Sequence, residues 1–190
     1  MEADWEFEIA PEAPVIDAAW PGFMDLRANP ERIREVTEAA SLPELAAAIR
    51  QLNGIGSPVY TVRCDLWPLD ACDPYEMDAD PGEAGPGIGC YIDLLSRNAE
   101  AWATVDGITG WCRGLCAELG KVKLRQCRVD LVIRSASTVQ NSAGLGVTAY
   151  FSACGATVPE AENVLSGALR AFAIAVLVPS PASANDSTLQ

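Results

Sequence analysis

The chain has 190 residues, 49% of them hydrophobic, with 26 acidic against 13 basic residues and a formal net charge of −13. That length and apolar content suit one domain with its own core and exclude global disorder; the acidic balance repels phosphate backbones and anionic lipid, so neither nucleic acid nor a membrane is expected as partner. Histidine is absent, which removes Ser–His and Cys–His catalysis, His-ligated metal and the commonest general base.

The first ten residues, MEADWEFEIA, lack the basic-then-apolar pattern of a secretory leader, and the longest apolar run, residues 171–178, is too short to span a bilayer. A soluble, cytoplasmic protein is the expectation, with its seven cysteines held as free thiols. Residues 1–29 read as an N-terminal extension packed on the body. Trp5 to Ile9 alternates like a short strand, Pro11, Pro14, Pro21 and Gly22 break any regular element over the next dozen residues, and Trp20, Phe23 and Leu26 are large apolar groups that need a surface to pack on.

The domain proper is expected over 30–178. Asn29-Pro30 reads as an N-cap and first helical residue, opening a short helix over 31–40. Ser41 and Glu44 have capping-box spacing and start a second helix to about Leu52, with Leu45, Ala48, Ile49 and Leu52 on one stripe. A strand over 59–67 turns Tyr60, Val62, Cys64 and Leu66 one way and Thr61, Arg63, Asp65 and Trp67 the other. The loop 69–87 is long, acidic and rich in proline and glycine, and reads as a solvated connection.

A second strand, 88–95, sets Cys90, Ile92 and Leu94 against Tyr91 and Asp93. Residues 96–120 read as one helix with a core stripe of Val105, Ile108, Cys112, Leu115 and Leu119. In a third strand, spanning 121–134, Cys127, Val129, Leu131 and Ile133 oppose Arg128, Asp130, Val132 and Arg134. Val122 and Leu124 have the opposite parity, so either a bulge lies near Gln126 or the first residues are unpaired. In a fourth strand, 145–154, Val147, Ala149, Phe151 and Ala153 face in and Thr148, Tyr150 and Ser152 face out. Thr157 and Glu160 form another capping box, opening a helix to about Val178; the tail 179–190 has no apolar payload and is expected to be disordered. The pattern helix–strand–strand, helix–strand–strand, helix predicts an α+β fold: a two-layer sandwich of a mainly antiparallel four- to five-stranded sheet with helices on one face.

On this reading the polar sheet face carries Arg63, Asp65, Trp67, Tyr91, Asp93, Arg128, Asp130, Arg134 and Tyr150. A surface mixing Trp, Tyr and Arg suits an interface, so the leading expectation is a binding or assembly domain that self-associates as a homo-oligomer. The alternative is a sensor or enzyme that holds a small polar ligand with the same Asp and Arg residues. The plain competing reading is a solvated face stitched by Arg–Asp pairs. Asp65, Asp93 and Asp130 invite a hard cation, but the neighbouring arginines neutralise them, so neither metal nor cofactor is expected, and no catalytic residue is assigned. Cys112 and Cys116 share a helix face but supply only half a tetrahedral zinc site, and the glycines near residue 87 lack a phosphate-loop lysine. The basic stretch from Lys121 to Arg134 is expected to meet the acidic loop of the same or another copy.

Overall fold

The computed structural model describes residues 1–8, 15–17, 23–70, 72–80, 82–138 and 143–178. The expectations for Ile9, Pro11, Pro14, Trp20, Pro21, Gly22 and the tail 179–190 lie outside the described residues. In chain order the elements are β1 (Glu2–Phe7), β2 (Val15–Asp17), a 3₁₀ turn (Pro30–Glu35), α1 (Thr37–Ser41), α2 (Pro43–Asn53), β3 (Val59–Leu69), β4 (Gly87–Ser96), a second 3₁₀ turn (Ala99–Trp102), α3 (Val105–Leu119), β5 (Cys127–Thr138), β6 (Ala143–Cys154) and α4 (Val158–Leu177).

The fold is α+β with a mixed sheet. Its path runs β1-β5-β6-β4-β3, and β2 pairs with β5 off that path. β3–β4, β4–β6 and β5–β6 are antiparallel, whereas β1 and β2 lie parallel to β5. The N-terminal extension therefore contributes strands, which its alternation at Trp5–Glu8 hinted at without naming a partner. One sheet face buries Cys90, Ile92, Leu94, Val129, Leu131, Ile133, Val147, Ala149 and Phe151 in a single apolar cluster. Leu45, Ile49 and Leu52 of α2, Ile108, Cys112 and Leu119 of α3, and Leu165, Leu169 and Phe172 of α4 complete it. Phe172 meets Phe151 edge to face with ring centroids 5.0 Å apart. No described helix is long and apolar enough to cross a membrane.

Local chemistry corrects several expected boundaries. Ser41 does not cap α2. Pro43 forces the residue before it into extended backbone, so the chain breaks at Leu42 (φ −131°, ψ 103°), and the Ser41 hydroxyl donates back to the Thr37 carbonyl at 3.2 Å. Asn29 makes no side-chain cap, and residues 30–41 split into a 3₁₀ turn and one short α-helical turn. The helix read over 96–120 is likewise two pieces, with Thr104 capping α3 by accepting from the Gly107 amide at 3.2 Å, and Val105 is exposed. Gly107 is required there: a Cβ would lie 2.3 Å from the Ala101 carbonyl oxygen. The Thr157 cap forms as read, and Glu160 reaches back to the Ala156 amide at 2.9 Å.

Two breaks in parity have backbone causes, and at the first the opening residues are the unpaired ones of the two alternatives. Residues 121–126 are not strand; Gln126 has φ 64°, a left-handed turn that restarts the alternation at Cys127. In β3 the register shifts between Thr61, opposite Leu94, and Arg63, opposite Asp93, so Val62 is the extra residue of a bulge. Tyr60 consequently leaves the core side and clusters with Leu95 and Ala136 on the other face, beneath the Arg27 guanidinium at 4.0 Å. Thr61 turns toward α2, where Asn53 Nδ2 donates to its hydroxyl at 2.7 Å.

Candidate functional site

Beyond the bulge the alternation holds, and every residue of the expected polar face lies on the sheet side away from the helical cluster. The register arranges these residues in rows across the strands. One row runs Asp4, Asp130, Tyr150, Tyr91, Asp65. The next runs Glu6, Val132, Thr148, Asp93, Arg63, and on the other side lies Glu2, Arg128, Ser152, Gly89, Trp67.

The three aspartates share the face but do not converge. Asp130 and Asp65 are separated by three strand spacings, about 14 Å at roughly 4.8 Å each, with two tyrosines between them. Among the described residues no group of three or more acidic or thiol side chains is placed to hold a metal. Each aspartate has a different local role. Asp93 is 2% exposed; Arg63 Nε donates to its Oδ2 at 3.0 Å and the Thr148 hydroxyl donates to its Oδ1 at 2.6 Å. Burial raises its pKa above the ordinary carboxylate value, opposed by those two donors. Asp130 accepts both 2.7 Å and 2.9 Å hydrogen bonds from Arg128 Nε, which raises the arginine's pKa. Asp65 is exposed and accepts from the Leu66 amide at 2.7 Å.

Aromatic rings cross the face. Trp67 and Tyr91 have centroids 6.1 Å apart, and Tyr91 and Tyr150 5.9 Å. Trp67 lies directly over Gly89, where a Cβ would come within 2.5 Å of the indole. Burial, then the nearby Asp93 charge, pushes the Tyr91 phenol up. Arg134 lies 5.8 Å from the Tyr150 ring centroid, donates to its hydroxyl at 3.1 Å and pairs with Glu8, while its Nε is buried with no partner among the described residues.

Over the β1–β5–β6 part of this face is a cavity of about 600 Å³. Asp4, Glu6 and Glu8 from β1 and its end, Arg128, Asp130 and Arg134 of β5, Tyr150 of β6, and Glu76 and Met77 of the loop after β3 line it. The loop is less solvated than its composition suggests. Met77 is buried, and Arg125 reaches Asp78, Asp80 and Glu83 at 3.8, 3.6 and 3.6 Å, an internal pairing of basic stretch and acidic loop. The expected site residues Arg128, Asp130, Arg134 and Tyr150 thus meet at the cavity; Asp65, Trp67 and Asp93 do not line it, and Arg63 and Tyr91 line a separate depression beside Phe23 and Val36. The sequence reading missed Asp4, Glu6, Glu8, Glu76 and Met77. The alternation of Glu2, Asp4, Glu6 and Glu8 was visible; the strand they flank was not.

The fold and face together define an α+β domain with an arginine–tyrosine cavity on the sheet face opposite the main apolar cluster. No family model matches the chain, and neither a curated protein nor a solved structure matches it.

Proposed function

We propose that this chain is a two-layer, predominantly antiparallel α+β binding domain whose ligand is a small organic cation that also carries a hydrogen-bond acceptor, seated in the sheet-face cavity. The charge balance of the lining carries this reading. Five carboxylates, Asp4, Glu6, Glu8, Glu76 and Asp130, face two arginines, Arg128 and Arg134. Both arginines are already engaged, by Asp130 and by Glu8. The carboxylates of Glu6 and Glu76 both line the cavity and have no ion pair or hydrogen bond among the described residues. The site therefore favours a positive group, with the Tyr150 face and Met77 as soft neighbours. Arg134 Nε is the donor that an acceptor on the ligand would satisfy. An enzyme would need its desolvated carboxylate in the cavity, and the buried Asp93 is not among the lining residues.

The test is a thermal-shift and calorimetry panel of amines, guanidines and zwitterionic amino acids beside their neutral and anionic counterparts. A ligand at a hundred times its Kd adds about 2.7 kcal/mol of apparent stability. Binding by cations that weakens in Glu6→Gln and Glu76→Gln supports the reading; equal or stronger response to anions, or none to any cation, refutes it. Self-association is the second reading, favoured by the ring row Trp67–Tyr91–Tyr150. Light scattering decides it: an oligomer that dissociates in Trp67→Ala supports an interface there, and a monomeric wild type removes it.

A further inference from the structure

Two thiols far apart in sequence meet at one end of the same sheet face. Cys72 lies in the loop after β3, and Cys154 is the last residue of β6. The cross-strand partner of Cys154 is Gly87. A Cβ built on Gly87 would lie 2.2 Å from the Cys72 sulfur, so that thiol fills the space a side chain at Gly87 would take. Opposed residues of an antiparallel pair hold their Cβ atoms about 4.5–5.5 Å apart. The Cys72 sulfur therefore stands beside the Cys154 side chain, near enough for each thiol to perturb the other's ionisation. Cys154 is fully buried and Cys72 is partly exposed.

We propose that Cys72 and Cys154 are a dithiol that closes to an intramolecular disulfide in the presence of a low-molecular-weight disulfide such as oxidised glutathione. The deprotonated Cys72 sulfur attacks one sulfur of the reagent, forming a mixed disulfide and releasing one small thiolate. The deprotonated Cys154 sulfur then attacks the Cys72 sulfur, forming the protein disulfide and releasing the second small thiolate. Two electrons pass to the reagent, and the two cysteine protons end on the two released thiols. The order follows from access: the reagent reaches Cys72, and Cys154 resolves. Burial raises both thiols, Cys154 to about 11. Closure is therefore slow at neutral pH and accelerates as pH rises.

The bond would tie the loop to the end of β6. Glu76 and Met77, which line the cavity, are in that loop. Oxidation therefore stiffens the cavity wall and reduction frees it, whatever the cavity binds.

The experiment uses the full chain, incubated with oxidised glutathione at mildly alkaline pH, then alkylated in denaturant and mapped by mass spectrometry. The expected result is a loss of two of the seven thiols and one cross-linked species joining the Cys72 and Cys154 peptides. Chymotryptic cutting at the exposed Tyr75 slows severalfold in the oxidised protein and recovers on reduction. Cys154→Ser stops at a glutathione adduct on Cys72, and Cys72→Ser retains all its thiols. Because Cys154 is buried, Cys72→Ser alone suffices as the control should Cys154→Ser fail to fold. Other pairings, a Cys72 adduct that never closes in the wild type, or unchanged thiols in a folded wild-type sample would each overturn the assignment.

Discussion

Removing the carboxylate of Asp93 tests how the sheet face is held together. In Asp93→Ala the Thr148 hydroxyl, itself 2% exposed, loses its acceptor. A buried donor left unsatisfied costs about 1–3 kcal/mol. The Arg63 side chain is 43% exposed, so it turns to water at little further cost, and relief from burying a charge offsets part of the loss. The expected net is a destabilisation in the lower part of that range, about 1–2 kcal/mol, for Asp93→Ala. Asp93→Asn keeps an acceptor for Thr148 and should lie within about 1 kcal/mol of wild type at neutral pH.

The pH dependence separates burial from ion pairing. The Asp93 pKa is raised, chiefly by desolvation. Between the ordinary carboxylate value of 3.8 and that higher value, the native chain keeps a proton the unfolded chain has released. The Asp93 contribution is therefore fully present below the ordinary value and is lost as pH rises through the folded one. Asp93→Asn lacks this loss, so it gains on wild type across the window and then runs parallel to it. Urea unfolding followed by tryptophan fluorescence, at steps from strongly acidic to neutral pH, measures both quantities. A wild type that gains on Asp93→Asn as pH rises would mean the Arg63 charge outweighs burial, and the account given for Asp93 would be wrong.

Gly89→Ala should expel the Trp67 ring, changing the near-ultraviolet circular dichroism and costing about 1–3 kcal/mol; an unchanged spectrum would show the ring does not rest on Gly89. Phe172→Ala opens a void beside Phe151 at the centre of the helix–sheet contact and should cost about 3–5 kcal/mol in urea unfolding. Arg125→Ala breaks exposed pairs with Asp78, Asp80 and Glu83, so its global cost should stay below about 1 kcal/mol while chymotryptic cutting at Tyr75 quickens. A larger global loss would make the loop part of the cooperative core.

Much of the fold was legible because its signals are local. Cys127 to Ile133, Cys90 to Leu94 and Val147 to Ala153 announced their buried face by alternation, and all are buried where alternation put them. Thr157 announced α4 by its cap. The misses arose where a local signal competed with a stronger local constraint or had no local form. Pro43 overrode the Ser41 box through sterics one residue away. The bulge at Val62 left no mark in the composition of β3, yet it sent Tyr60 to the opposite face. Of the expected face, Arg128, Asp130, Arg134 and Tyr150 line the cavity, but the part of the lining supplied by Glu6 and Glu76 depends on which strand and which loop lie alongside.

The sequence by itself determined sidedness: which residues of each strand share a face, and that the face away from the helices carries charge and rings. It did so because a strand's period of two is a property of consecutive bonds. Only the tertiary structure decided that β1 runs parallel beside β5, that two tyrosines stand between Asp65 and Asp130, that a cavity forms under the acidic loop, and that Cys72 meets Cys154. Those facts depend on pairing between segments tens of residues apart, where loop closure and burial choose the partner and no short stretch of sequence records the choice.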